Sequence, residues 1–171
     1  PNKLDDIKQL CEILQTPLLP WQEFVLADML SVDEEGMWIR KTNLLLIARQ
    51  NGKNEVLVVL EMAAILLFGE RTVVHSAHRY DTSLEHFLKL RSVMEESDDL
   101  MRRVARNGFV TTNGKEQIKF RTGQRIMFKA RSNGRVISVR YVQAGAGRLP
   151  RLSSNVMQHQ FTRAEDRSLF L

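Results

Sequence analysis

The sequence predicts an α/β fold in which a parallel sheet is flanked by helices, with an antiparallel meander on the C-terminal side. A strand at residues 42–48 with an apolar run at 44–48, a largely apolar helix at 54–68 and a second strand at 72–77 give the order strand, helix, strand. A helix of this length between two strands favours a parallel pair joined by a right-handed crossover. Short alternating segments separated by Asn113-Gly114 and Thr122-Gly123 then indicate hairpins.

The N-terminal residues predict two helices that precede the first strand. Apolar side chains at helical spacing indicate an amphipathic helix that ends before Pro17, and a second helix follows at about 22–30. We expect a short strand at 38–40. The continuous apolar run at 44–48 is typical of a strand that is buried on both faces in the middle of a parallel sheet.

The later elements predict a change of architecture toward the C-terminus. A capping-box spacing at 82–85 begins one helix, and a short further helix should run from about 98 to Asn107-Gly108. The meander strands are expected at 109–112, 116–121 and 125–130, with another strand at 136–142. Beyond residue 144 no pattern continues. We therefore expect one folded domain at 1–143 and a basic tail at 144–171, with a composition typical of poorly ordered chains.

Composition limits the classes of protein that this chain represents. Its 171 residues suit a single domain. None of its apolar runs reaches the roughly 20 residues that a membrane-spanning helix needs, so we expect no membrane contact. Cys11 is the only cysteine, which excludes an internal disulfide and is typical of a reducing compartment. Cys11 is expected to be a small core residue of the first helix.

The net charge of +5 is unevenly distributed. Residues 135–171 hold six basic and two acidic side chains, whereas the first 134 residues hold 19 and 18. A basic arm suggests an anionic partner such as nucleic acid. A solvated tail with scattered arginines explains the same composition and is the simpler interpretation.

The segment from Leu44 to Asn54 has the plan of a phosphate-binding loop, because an apolar strand enters a polar turn that ends in Gly52-Lys53 and opens a helix. Backbone N–H groups at a helix N-terminus point at an anion, and a lysine reaches the outer phosphates. The usual spacing has glycine at 47 and a hydroxyl at 54, where this chain has Ile47 and Asn54. A Gly-Lys pair alone is also a common turn.

Five segments together resemble a known family. They are Leu19-Pro20-Trp21-Gln22, residues 48–57, Leu67-Phe68-Gly69-Glu70-Arg71, His75-Ser76-Ala77-His78 and Ala130-Arg131-Ser132. In order and spacing, over about residues 16–135, they resemble the N-terminal ATPase half of the large terminase subunit of tailed phages, in the branch found in phages and prophages of actinobacteria. In that branch the loop commonly reads Arg-Gln-Asn-Gly-Lys-Asn, so Asn54 follows the family pattern.

The resemblance implies a P-loop NTPase-like motor that uses ATP and Mg²⁺ to package double-stranded DNA into procapsids. It makes residues 1–143 a truncated P-loop ATPase-like domain. The nucleotide-binding residues that it implies are Gln22, Arg49, Gln50, Asn51, Gly52, Lys53 and Asn54. Gln22 would lie near the adenine, while Lys53 and Arg49 would act on the phosphates as catalytic residues. Asn54 would lie next to the metal, and Trp21 would pack in the core.

The resemblance also implies partners and a location. They are the portal protein, the small terminase subunit and further copies of the chain in a homo-oligomeric ring, all in the host cytoplasm. His75 and His78 have no cysteine or acidic cluster beside them in the sequence, so we favour packing or loop orientation over a metal site.

The chain departs from the family after residue 132. Where the family has a strand ending in Asp-Glu, residues 134–144 contain no acid, and the acids that follow are Glu165 and Asp166. We therefore expect impaired hydrolysis, because no acidic pair is found to activate water. The nuclease half of the family has no counterpart in this sequence. The alternatives are a non-enzymatic DNA- or partner-binding module, a prophage remnant and, less favoured, a fragment of a helicase-like translocase.

Overall fold

The computed structural model describes residues 2–36, 38–40, 42–48, 50–112, 114–130, 137–142 and 157–163. The helices in this part of the chain are α1 (Leu4–Ile13), α2 (Pro20–Met29), α3 (Lys53–Leu66), α4 (Tyr80–Glu95) and α5 (Asp98–Arg103). The strands are β1 (Thr42–Ile47), β2 (Thr72–Ala77), β3 (Val104–Val110), β4 (Gln117–Phe120), β5 (Arg125–Ala130), β6 (Ile137–Val142) and β7 (Met157–Arg163).

The strands form one mixed sheet in the order β1-β7-β6-β2-β5-β4-β3. β1 pairs with β7 and β2 pairs with β5 in parallel, whereas the other neighbours are antiparallel. β1 and β2 therefore point the same way, with β7 and β6 between them. The predicted α/β fold, the strand-helix-strand order and the antiparallel meander are confirmed.

The helix α3 is the centre of the core. Every residue from Val56 to Ile65 is buried, which is expected of a helix that is apolar on almost all sides. α1 and α2 pack against α3, and α4 packs against β2 and β5. Cys11 belongs to this core as predicted, and burial raises the pKa of its thiol to about 11. The thiol is therefore protonated and unreactive at neutral pH.

The start of the meander differs from the sequence pattern, which predicts a helix as far as Asn107-Gly108. The structure ends α5 at Arg103 and begins β3 at Val104. Asn107 has a φ of +56°, and the pairing with β4 shifts register between Val104 and Phe109. A Cβ at Gly108 would lie 2.5 Å from the backbone oxygen of Lys119. Asn107 and Gly108 therefore adopt the conformations that an irregular strand needs, and they do not end a helix.

The first strand also differs from prediction. The apolar run at 44–48 predicts a strand buried on both faces, but β1 lies at the edge of the sheet. Leu44 and Leu46 are 48% and 54% exposed. An apolar run shows that a strand is hydrophobic, but it does not show how many layers cover the strand. The strand predicted at 38–40 is reduced to a single bridge between Trp38 and Val32.

The C-terminal residues contain a strand that the sequence pattern does not predict. Met157–Arg163, inside the expected tail, forms β7 and pairs with both β1 and β6. The rest of the expected tail, residues 144–156 and 164–171, lies outside the described residues. No helix of the described chain combines the length and apolar character needed to cross a membrane.

The turn between α3 and β2 holds a buried carboxyl group. Glu70 is 6% exposed, and its Oε2 has no hydrogen-bond partner among the described residues. Gln124 donates hydrogen bonds to the backbone oxygens of Ile65 and Glu70, which anchors the turn. Burial raises the pKa of Glu70 from 4.5 to about 7, since the charged form loses its hydration.

We predict that Glu70→Gln stabilises the protein above pH 7. A carboxyl group with a raised pKa in the folded state destabilises that state as pH rises from about 4.5 to about 7, and the loss persists above this range. The loss is at most about 3 kcal/mol. Urea unfolding at several pH values should show the variant gaining stability over the parent as pH rises. The exposed Glu96→Gln is the control, and equal pH profiles for Glu70→Gln and the parent would contradict the prediction.

Candidate functional site

The chain passes from β1 into α3 through a turn with two unusual backbone conformations. Gln50 has a φ of +60° and Gly52 a φ of +77°. Gly52 is the N-cap of α3, which begins at Lys53 as predicted. A Cβ at position 52 would lie 2.8 Å from Nε2 of Gln22. Glycine is therefore required here both by the left-handed conformation and by the approach of this side chain.

Gln22 holds the turn from the side of α2. Its side chain is 2% exposed, and Nε2 donates a hydrogen bond to the backbone oxygen of Gly52 at 2.8 Å. Its Oε1 accepts a hydrogen bond from the backbone N–H of Leu19 at 2.7 Å. Trp21 is half-buried and packs against the core. The Pro-Trp-Gln segment and the turn before α3, which are 30 residues apart, therefore form one structural unit.

The first turn of α3 is suited to an anion. No side chain caps its N-terminus, so its backbone N–H groups have no partner within the helix, and the helix dipole is positive there. Asn51 and Asn54 are exposed and Lys53 is half-buried, and all three adjoin these N–H groups. Gln50 is also exposed on the turn. Arg49, the other residue predicted to act on phosphates, lies outside the described residues.

Glu55 links this turn to α4. Its carboxylate forms an ion pair with Lys89. Burial acts to raise the pKa of Glu55, but the hydrogen bond and the charge of Lys89 outweigh burial and lower the pKa. An acid in the first turn is also favoured by the helix dipole. The Glu55 carboxylate is therefore ionised at neutral pH.

A second polar group lies within the core behind the loop. We call Glu61, His75 and His86 the histidine–carboxylate cluster. Nδ1 of His75 lies 2.8 Å from one oxygen of Glu61, and Nε2 of His86 lies 3.0 Å from the other. The two imidazole rings stack with centroids 4.0 Å apart. The cluster joins α3, β2 and α4.

Electrostatics explain why this buried acid is tolerated. Burial alone would raise the pKa of Glu61, but the neighbouring His86 and His75 outweigh burial and hold the pKa well below its usual range. Burial, with the charge of His86, lowers the pKa of His75. The carboxylate is therefore ionised and accepts a hydrogen bond from each ring.

The same three residues are a conceivable ligand set for a metal ion, since their donor atoms lie within 4.8 Å of one another. Donors around a tetrahedral zinc ion are separated by about 3.3 Å. The 2.8 Å between His75 and Glu61 is the length of a hydrogen bond instead. Each ring also meets a different carboxylate oxygen. The geometry is that of a hydrogen-bonded cluster.

Sequence reasoning missed this cluster. Glu61 interrupts an apolar helix and His75 occurs in a buried strand, and a buried polar side chain requires a partner. This need for a buried partner was the signal in the sequence that could have indicated a polar cluster in the core. Along the sequence no cysteine or acidic cluster lies beside His75, but the fold brings the single carboxylate of Glu61 to its ring. His78 does not belong to the cluster.

Comparison with solved structures identifies the fold. The chain is similar to the HK97 bacteriophage large terminase, with a TM-score of 0.52 and 14% identity, over 100% of this chain and 29% of that one. The Thermus phage P74-26 large terminase ATPase domain and a mutant of it match with TM-scores of 0.43 and 0.44 and 13% identity, over 91% of this chain and 48% of theirs. No protein-family model and no curated protein matches the chain.

The chain therefore has the fold of the large terminase over the 29% of the HK97 protein that it spans. This likeness confirms, at the level of the fold, the resemblance found in the sequence. At 14% identity it does not assign the site residues, so their roles stay predictions.

We predict that Gly52→Ala destabilises the protein more than Gly123→Ala does. Both glycines have positive φ, which costs alanine about 1 kcal/mol, but only at Gly52 would the new Cβ meet another side chain. Urea unfolding should show a further loss of about 1 kcal/mol or more at Gly52. In a Gln22→Ala background this difference should disappear. Equal losses at both glycines would contradict the prediction.

We predict that Glu61→Gln destabilises the protein by about 2–3 kcal/mol at pH 7, because charge-assisted hydrogen bonds to two rings are lost. The lowered pKa of Glu61 means that its contribution is complete above its unfolded pKa and is lost as pH falls through the folded pKa. The lowered pKa of His75 likewise makes stability fall below about pH 6.5.

The measurement is urea unfolding of Glu61→Gln at pH 7 and pH 5, with the exposed Glu85→Gln on α4 as the control. The destabilisation should be at least as large at pH 5, because this pH lies above the unfolded pKa of Glu61 and because His75 without the carboxylate has a still lower pKa. If Glu61→Gln were as stable as the parent at both pH values, the cluster would contribute nothing to the stability of the fold.

Proposed function

We propose that the chain binds ATP with Mg²⁺ at the turn 50–54 and forms the nucleotide-binding part of a phage large terminase. The observation that carries the proposal is the turn itself, since Gln22 holds Gly52 in a left-handed conformation directly before an uncapped helix N-terminus. N–H groups in the first turn of a helix, a positive dipole and Lys53 at the first helical position match the chemistry of a polyphosphate.

Each residue of the turn has a role in this proposal. The N–H groups of Asn51 to Asn54 receive phosphate oxygens, and the ammonium of Lys53 neutralises the outer phosphates. The amide oxygen of Asn54, which is exposed, is a ligand for Mg²⁺, a hard cation that prefers oxygen. Mg²⁺ supplies further neutralisation of phosphate charge. Arg49 acts on the γ-phosphate, and Gln22 lies near the adenine.

Hydrolysis is proposed to be slow. β6, which directly neighbours β2, has no acid in its sequence Ile137–Val142, so it provides no carboxylate to orient water. Glu55, the acid in the first turn of α3, is engaged by Lys89. Nucleotide binding needs the turn and Lys53, whereas water activation needs a base.

By analogy with terminases, the chain takes part in packaging double-stranded DNA into procapsids in the host cytoplasm. Its proposed partners are the portal protein, the small terminase subunit and further copies of itself in a ring. A non-enzymatic DNA-binding role is the second candidate, and it is favoured by the distribution of charge along the chain.

We predict that Lys53→Ala weakens ATP binding by about 10- to 100-fold, because a charge-assisted contact worth about 1.5–3 kcal/mol is lost. Isothermal titration of the protein with ATP in the presence of Mg²⁺ provides the affinity. Lys8→Ala is the matched control, since Lys8 is a surface residue paired with Glu23 on the first two helices. Thermal unfolding checks that both variants remain folded.

Phosphate release on the same sample separates the outcomes. Binding without release supports a nucleotide-binding domain with arrested hydrolysis. Binding with release overturns the expectation of slow hydrolysis and points to an acid supplied from elsewhere. The absence of ATP binding by the parent protein would refute the proposed function.

A further inference from the structure

The charges of the first 130 residues are strongly segregated along the chain. Residues 1–102 contain 11 basic and 17 acidic side chains, whereas residues 103–130 contain seven basic and one acidic. The two segments therefore carry net charges of −6 and +6. The near-neutral total charge of the first 134 residues hides this separation. Residues 103–130, which contain the meander strands, carry more positive charge for their length than residues 135–171 do.

The one acid of the meander is not presented to solvent. Glu116 is 3% exposed, and it accepts hydrogen bonds from the hydroxyl of Tyr80 at 2.5 Å and from the backbone N–H of Gly114. The basic side chains are in contrast exposed, apart from the half-buried Lys129. The charged surface of residues 103–130 is therefore uniformly positive.

Strand geometry separates the basic residues from the core. Along β5 the buried Ile126 and Phe128 alternate with outward-facing positions, and Phe128 packs against Phe87 of α4. Ile126 and Phe128 therefore point toward the helices. Arg125 and Lys129, which have the opposite parity, point away from them.

The neighbouring strand β4 continues the same surface. Lys119 lies directly opposite Arg125, and Gln117 lies directly opposite Met127. Residues opposite each other in an antiparallel pair share one face of the sheet. We call the surface formed by Lys119, Arg125 and Lys129 the basic sheet face. It lies on the side of the meander away from α4. Arg103, Arg106, Lys115 and Arg121 are further exposed basic residues of the segment 103–130.

We propose that the basic sheet face binds the phosphate backbone of duplex DNA. Neighbouring strands are about 4.8 Å apart and four residues along a strand span about 13 Å, so the three cations cover a patch comparable to several backbone phosphates. The proposal deepens the proposed function, because it names the surface that contacts the packaged DNA. The choice of DNA as the nucleic acid rests on that proposed function.

The composition of the face distinguishes a duplex from a single strand. Proteins that bind single strands stack bases on aromatic side chains. The outward positions of β4 and β5 hold Gln117, Lys119, Arg125, Met127 and Lys129, none of which is aromatic. A flat face with cations and no stacking group is suited to backbone contacts that do not depend on base sequence.

The test is fluorescence anisotropy of a labelled duplex with the full chain, without nucleotide, at salt concentrations from 50 to 200 mM. The parent should show affinity that falls steeply with salt. The variant Lys119→Gln/Arg125→Gln/Lys129→Gln should bind at least ~10-fold more weakly at low salt, and its salt slope should be smaller by about 2–3. Arg121 is left unchanged because its Nε donates to the backbone oxygen of Val104 at 3.1 Å. Lys129 also donates to a backbone oxygen, that of Gly114, but this contact is exposed and longer at 3.4 Å, so Lys129 is replaced.

The matched control removes the same charge from the helical side, through Lys3→Gln/Lys8→Gln/Arg40→Gln. This variant should retain nearly the parent slope, and thermal unfolding confirms that both triple variants are folded. An equal loss in the control would reduce the effect to net charge and overturn the proposal. A parent slope retained in the sheet variant would also overturn it and assign the binding to residues 131–171.

Two competitors test the choice of ligand. The competitors are a single strand of the same length and vesicles that contain anionic lipid. If either displaces the labelled duplex at a lower concentration than unlabelled duplex does, the assignment of the ligand as a duplex is overturned. Because nucleotide is absent from these measurements, loss of duplex binding and loss of ATP binding are separate results. The basic sheet face can therefore fail while the proposed nucleotide site stands, and the reverse also holds.

Discussion

The burial of α3 over ten consecutive residues is the constraint on which the rest of this structure depends. Its residues from Val56 to Ile65 have almost no contact with solvent. Burying each large apolar side chain contributes about 1.5–3 kcal/mol, so several of them together outweigh the cost of placing one carboxylate among them. The carboxylate of Glu61 must then find partners inside the protein, and it finds His75 on β2 and His86 on α4.

The position of α3 also determines the candidate site. Because the helix is held by packing along its length, its N-terminus is fixed relative to α2 and β1. Gln22 on α2 then reaches the backbone oxygen of Gly52, and Lys89 on α4 reaches Glu55. The turn is thus supported from two sides by polar contacts. The side chains proposed to contact phosphate stand on a scaffold that core packing has already ordered.

Much of the fold was predictable from local pattern. The apolar run that precedes Gly52-Lys53, the buried helix after it and the hairpin signals of the meander are each read from neighbouring residues, and the structure confirms all three. Two of the wrong predictions depended on how elements pack and pair, which local pattern does not specify. The apolar β1 lies at an edge, and residues 104–107 belong to a strand that pairs with β4.

The candidate site was predictable only in part. Gly52 and Lys53 are adjacent in the sequence, so their turn and helix could be anticipated. The contact of Gln22 with Gly52 joins residues 30 apart, and its geometry has no local signature. The histidine–carboxylate cluster joins residues from three elements, and nothing along the sequence indicates that Glu61 faces His75.

By itself the sequence determined the class of fold, the place of the phosphate-type turn and the identity of the buried helix, because hydrophobic periodicity and glycine act over a few residues. Only the tertiary structure decided which polar groups meet and which charges share a surface. Lys119 and Arg125 become neighbours through strand pairing, and Glu116 is hidden through its contact with Tyr80. Such contacts depend on how helices and strands pack together, because the residues of one element do not specify which other element it will contact.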